Sequence, residues 1–167
     1  MRSAAHTVFG DPAEVLSLTD SPVPQPGPDQ VRIRTILAPI HNHDLWTVRG
    51  NYGYKPELPA IGGSEAVGFI DALGDRVTGF QLGQRVAVAS VHGSWAEYFL
   101  APVAALVPVP DAIPDEAAAQ LIAMPFSAVM LLEFLEVKSG DWVAQNTANG
   151  AVGKMLAMLA ASRGVNV

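Results

Sequence analysis

Alternating apolar and polar positions run through most of the chain, and helical spacing replaces them near its end. Residues 2 to 9 and 14 to 19 alternate as two short strands about a turn at Gly10-Asp11-Pro12. Pro22, Pro24, Pro26 and Pro28 follow, and a stretch so rich in proline fits neither a helix nor a central strand, so it reads as an extended surface connection. Val31 to Ala38 resumes clean alternation and leads into Pro39-Ile40-His41-Asn42-His43-Asp44, where Asn42 to Asp44 can cap a short helix through about Arg49. A loop with two tyrosines, Gly50-Asn51-Tyr52-Gly53-Tyr54-Lys55-Pro56, comes next. Ala66 to Leu73, Gln84 to Ala89 and Ser94 to Leu100 read as further strands, parted by Gly74-Asp75 and Val91-His92-Gly93. So many short strands with turn signals between them predict a partly open antiparallel β-barrel.

From Pro110 the pattern changes. Pro114-Asp115-Glu116-Ala117 starts a helix with proline and acids in its first turn, and Phe126 to Val137 continues as a mostly apolar helix. Gly140 to Asn146 reads as a strand, Thr147 to Gly153 as a glycine turn, and the residues to Ser162 as a helix with apolar positions at Val152, Met155, Leu156 and Leu159. Arg163-Gly164 closes that helix, and Val165-Asn166-Val167 reads as the start of a second, parallel strand. Two domains are therefore expected, 1–113 and 114–167.

Composition narrows the function classes. Half of the 167 residues are apolar and 16% are charged, a globular rather than a disordered composition. With 10 basic against 16 acidic residues, net −6, nucleic acid and anionic membranes are poor partners. The longest apolar region, Ala117 to Leu132, is broken by Gln120, Pro125 and Ser127, short of the roughly 20 residues a membrane span needs. Met1-Arg2-Ser3-Ala4-Ala5-His6 has no apolar signal core, and the chain has no cysteine, which suits a cytoplasmic enzyme and removes thiolate chemistry.

The strand, glycine turn and helix near the end carry the first chemistry. In Ala148-x-Gly150-x-x-Gly153 glycines would let the backbone approach a pyrophosphate while helix N-terminal N–H groups face its charge. Asn149, Gly150, Ala151, Val152 and Gly153 would offer those N–H groups, and Gln145, Asn146 and Thr147 sit at the carboxyl end of the strand, where ligands bind in open α/β sheets. Alone the pattern is equally that of an ordinary tight strand-to-helix turn. Lys154 either adds charge there or faces solvent.

Several segments together resemble the medium-chain dehydrogenase/reductase superfamily: Gly62-Gly63-Ser64-Glu65-Ala66-Val67-Gly68, Gly83-Gln84-Arg85-Val86, Gly93-Ser94-Trp95-Ala96-Glu97-Tyr98 and Ala148-Asn149-Gly150-Ala151-Val152-Gly153. The resemblance implies a chaperonin-10-like (GroES-like) barrel that carries substrate, followed by the first βα unit of a Rossmann fold that carries a nicotinamide cofactor. Arg49 to Gly63, with Gln145-Asn146, looks most like the mitochondrial-type 2-enoyl thioester reductases, and the quinone oxidoreductases are the nearest other branch. Such enzymes are about twice this length, so the chain is expected to be the N-terminal half of one, cut within the second Rossmann strand. As a separate polypeptide it is expected to oligomerise and to bind dinucleotide weakly. The resemblance further implies NADPH, with NADH not excluded, an enoyl thioester or quinone as substrate, and a homodimer in the longer parent.

It also allows the zinc question to be put residue by residue. The three catalytic zinc positions of the superfamily fall on His41, Ser64 and Met124, only one of which is a good ligand where three are needed, so no zinc is expected. His41 and His43 would share a face if the chain between them is extended and diverge if it is helical, and both are expected to line or rim the cleft. His6 and His92 read as surface or strand-end residues. The enoyl reductases' proton-donating tyrosine falls on Tyr52, with Tyr54 two positions away as its competitor and a plain packing role as the alternative. The reductases carry asparagine where this chain has His41, which could orient substrate or relay protons. Trp95 is expected to line the cleft, and Glu65 to serve the fold at least as much as the reaction.

Overall fold

Strand β3 (Gln30–Leu37) turns Val31 and Ile33 inward, where both are fully buried, and holds Arg32 and Arg34 off the core, which is the alternation its sequence promised. It lies between β7 (Tyr98–Pro102) and β5 (Glu65–Leu73) in a five-stranded antiparallel sheet that continues through β6 (Arg85–Ala89) to β8 (Leu106–Pro108). β5 is central, and its first four residues, Glu65 to Gly68, are all buried, so both faces of its start are covered. Ile33, Ile70, Val86, Val88 and Phe99 anchor the core of this sheet. A second, three-stranded sheet sets β1 (Arg2–His6) between β2 (Ser17–Asp20) and β4 (Ala60–Ile61). The computed structural model describes every residue from Met1 to Val167.

The ladders form these two sheets and not one closed cylinder. What joins them is the segment 95–97: the Ala4 N–H donates to Trp95 O at 2.9 Å, the Glu97 N–H to Arg2 O at 3.1 Å, and the Thr35 N–H to Glu97 O at 3.0 Å. The expected strand from Ser94 to Leu100 is accordingly split. Its first part serves β1, and only from Tyr98 does it join β3 in a ladder. The segment 14–19 also differs from expectation, since Pro12–Val15 form a helical turn, α1, before β2. Asp11 caps it by accepting from the Ala13 N–H at 3.1 Å, and Pro12 takes the first helical position, where its missing N–H costs nothing. β4 and β8, of two and three residues, are too short to show a period.

Two units emerge from the packing, Met1–Ala119 and Gln120–Val167. The first also holds α2 (Asn42–Val48) and the short α3 (Asp115–Ala118). In the second, α4 (Ala123–Leu135) packs on α5 (Ala151–Ser162) through Ala128, Leu132, Leu156 and Ala160. α4 begins three residues before the expected Phe126, because Pro125 falls in its first turn and breaks nothing. The expected strand Gly140–Asn146 shrinks to one parallel bridge, Trp142 to Asn166: the Asn166 N–H donates to Asp141 O, and its O accepts from the Val143 N–H, each at 2.8 Å. No helix is long and apolar enough to cross a membrane.

Candidate functional site

The end of β3, the start of α2 and the start of β5 bring three rings and three acceptors together. His41 precedes α2 in an extended conformation, and its N–H donates to Asp44 Oδ2 at 3.0 Å, a reciprocal cap that closes the helix start. With residue 41 extended and residue 43 helical, the two imidazoles nonetheless stack, 5.0 Å between centroids and 25° between planes. Tyr52 stacks on His43 from the loop, at 5.7 Å and 29°. Tyr54 turns elsewhere and lies flat on His92 at 4.0 Å, so the two tyrosines belong to different contacts.

Beneath the rings are buried polar groups. His41 Nε2 meets Glu65 Oε2 at 2.6 Å, with His41 8% and Glu65 1% exposed. His43 Nε2 meets Ser64 Oγ at 2.8 Å, and Ser64 Oγ donates to Asp44 Oδ1 at 2.6 Å. Buried polar atoms need such partners, because each left alone would cost about 1–3 kcal/mol. Asp44 and Ser64 were not singled out by sequence for this role. Asp44 reads there as a cap, and Ser64 only as a zinc position without a good ligand; the spacing that joins them is tertiary.

Trp95 stands apart from the rings. Its indole N–H donates to Pro39 O at 3.0 Å, two residues before His41, and its ring fills the space above Gly62 and Gly63, where any Cβ would collide with it. This explains the double glycine by close approach. Trp95 lines a largely apolar cleft of about 560 Å³ with Leu16, Leu18, Ala38, Ile40 and Leu45, and His41, His43 and Tyr52 are not among its walls. Nearby, Glu97 accepts from the Arg2 backbone N–H at 2.8 Å and from its Nε at 2.9 Å, which holds its carboxyl below the usual range. His6 is buried at the end of β1, with Nδ1 against Val8 O at 3.0 Å, and so is not a surface residue.

The donors do not fit zinc. No three His, Cys, Asp or Glu side chains are grouped to hold a metal ion, and His41 and Ser64 are turned to carboxylates. Met124, the third expected position, lies in the first turn of α4.

The turn before α5 does fit a dinucleotide. Thr147 adopts a left-handed conformation, φ 53°, and its O accepts from the Gly150 N–H at 2.9 Å. Gly150 is the N-cap of α5, with no side chain to occupy the helix's unpaired N–H groups. A Cβ on Gly153 would lie 2.8 Å from Ala148 Cα, so helix and turn approach as closely as glycine permits. Gln145 Nε2 donates to Gly153 O at 3.1 Å and braces this approach. Asn146, Thr147, Ala148, Asn149 and Ala151 are exposed, whereas Val152 is half-buried toward the helix pair.

Comparison with known proteins covers nearly the whole chain. Residues 27–111, just over half of the chain, match the family described as the alcohol dehydrogenase GroES-like domain. Over 99% of its length the chain is 36% identical to the human mitochondrial enoyl-[acyl-carrier-protein] reductase, of which it covers 45%. A mycobacterial protein solved in complex with NADPH superposes with a TM-score of 0.91 at 34% identity, over 99% of this chain and 51% of that one. The quinone oxidoreductase of Pseudomonas syringae superposes with the same score at 31% identity, over 98% and 50%. The chain thus spans about half the length of the relatives it matches.

Proposed function

Because this chain belongs to the alcohol dehydrogenase GroES-like family, and with it to the medium-chain dehydrogenase/reductase superfamily, we propose that it serves an NADPH-dependent, zinc-independent reductase acting on the double bond of a 2-enoyl thioester. The observation that carries this reading is the similarity to an enoyl reductase along 99% of the chain, spanning the loop that sets Tyr52 on the histidine cluster. Residues 1–113 would form the substrate domain, with the two linked sheets acting as an open barrel. Residues 114–167 would open the Rossmann domain.

Bound NADPH would supply a hydride to the β-carbon. Gln145, Asn146, Thr147, Asn149, Gly150, Ala151, Val152 and Gly153 would hold its pyrophosphate end through backbone N–H groups and close approach. Tyr52, 47% exposed and stacked on His43, would position the thioester for protonation at its α-carbon, by its own hydroxyl or through a water. His41, held by Glu65, backs the cluster from inside, and Trp95 shapes the apolar wall. The working protein is read as a homodimer. A second reading, reduction of quinones, is favoured by the quinone oxidoreductase among the matched structures.

The test begins with intact mass and NADPH fluorescence titration of the naturally expressed protein, followed by turnover of crotonyl-CoA and simple quinones. Enoyl reduction that falls about 100-fold in Tyr52→Phe, with NADPH affinity unchanged, supports the first reading. Quinone turnover indifferent to Tyr52, without enoyl turnover, selects the second.

A further inference from the structure

A serine hydroxyl has one hydrogen, and Ser64 gives it to Asp44: the carboxylate Oδ1 accepts at 2.6 Å while Oδ2 takes the His41 N–H at 3.0 Å. Toward His43, Ser64 Oγ is therefore left only as an acceptor, and the 2.8 Å contact requires a proton on Nε2. His43 Nδ1 makes no hydrogen bond within the chain, on a side chain that stays 28% exposed. The Asp44–Ser64 pair thus selects one tautomer and leaves the other nitrogen for a ligand, the arrangement by which an imidazole is readied for proton transfer. The charged and titratable groups around His43 are Asp44 on its own helix, with Oδ1 at 3.6 Å, His41 stacked on one side, Tyr52 on the other from the loop, and Glu65 on β5 behind His41.

We propose that His43 is the proton donor of the histidine–tyrosine cluster, delivering through Nδ1, with Ser64 and Asp44 as its positioning residues. The proposal rests on the reductase reading above. Bound NADPH would supply hydride to the β-carbon, and the electron pair of the double bond would then rest on the α-carbon and thioester carbonyl as an enolate. The imidazolium Nδ1–H then gives its proton to the α-carbon, the second C–H bond forms, and neutral His43 remains with its Nε2–H on Ser64 until solvent returns the proton. Tyr52, stacked on the same ring, orients substrate and the donor against each other.

The test has one readout free of activity and one that follows the atom transferred. With ¹⁵N-histidine labelling of the natural-length protein, the neutral form of His43 is expected almost entirely as the Nε2–H tautomer, and Ser64→Ala is expected to mix the two. In D₂O with NADPH and crotonyl-CoA, the wild type is expected to place deuterium on one face of the α-carbon. H43Q should lower kcat about 100-fold and scramble that face while binding NADPH normally. A His43 found mainly as the Nδ1–H tautomer, or an H43Q enzyme of wild-type rate and facial selectivity, overturns the proposal and leaves the reductase reading intact. A wild type that binds NADPH yet reduces no enoyl thioester overturns both.

Discussion

The two units bury their apolar residues with unequal success. In Met1–Ala119 the strands have neighbours on their flanks and side chains across from them, so Val31, Ile33, Ala66 and Val86 are wholly removed from water. In Gln120–Val167, α4 is apolar on most of its circumference, Ser127 and Glu133 excepted, but α5 covers one stripe of it. Phe126, Met130 and Phe134 run along the uncovered side, Phe134 84% exposed, and Trp142 is 79% exposed. A helix apolar nearly all round is a helix meant for an interior. The contrast bears on chemistry too, because complete cover makes an unpaired polar group costly: the first unit places His41, Asp44 and Glu65 inside and gives each a partner, while the polar residues of the glycine turn in the second remain exposed.

The largest effect expected from that contrast is in the first unit's core. Ile70→Ala, at a side chain 1% exposed, should cost about 2–5 kcal/mol in urea unfolding, with the m-value unchanged. His41→Leu, which removes the 2.6 Å bond to Glu65, should cost about 1.5–3 kcal/mol by the same measurement. A smaller loss would mean that the buried pair adds nothing over an apolar replacement. In the second unit Gly153→Val drives side-chain carbons against Ala148 and should cost about 1–3 kcal/mol, together with a weakening of NADPH binding of tenfold or more in fluorescence titration. Phe134→Ser should shift stability by no more than about 0.5 kcal/mol if that face meets water in the working protein, so a loss above about 2 kcal/mol would reveal that something covers it.

The smallest effect belongs to the surface pair that ties β1 to the segment after Trp95. Arg2 holds the Glu97 carboxyl below its ordinary value, through its backbone N–H first and its guanidinium second. The folded state therefore favours the ionised form. The stabilisation is present above the ordinary carboxylate range, about 4.3, and is lost as pH falls through the depressed value. Glu97→Gln should thus narrow the gap to wild type at acid pH and leave a slight deficit near neutrality, read from thermal unfolding across the pH range.

How much of this was legible in sequence depended on the distance over which each feature is encoded. β3 could be read from alternation, α5 from its apolar spacing, and the tight turn before α5 in the second unit from Gly150 and Gly153, because each pattern is local. The helical turn after Asp11 was hidden by its brevity, and the break in the strand at 94–97 by a choice of partners made elsewhere, in β1 and at Thr35. The double glycine at 62–63 carried no sign of Trp95, whose ring it makes room for.

The chain by itself determined its family, its succession of strands and helices, the absence of cysteine and the placing of Tyr52 on a glycine-flanked loop, since these reside in composition, short motifs and period. Only the tertiary structure decided that Tyr52 stacks on His43 while Tyr54 stacks on His92, that His41 is held by Glu65, and that Ser64 turns from an unfit metal position into the acceptor that sets the proton on His43. Those facts depend on hydrogen bonds between residues some 20 positions apart, whose directions are settled when β5 is laid beside β3 and α2 is capped above it.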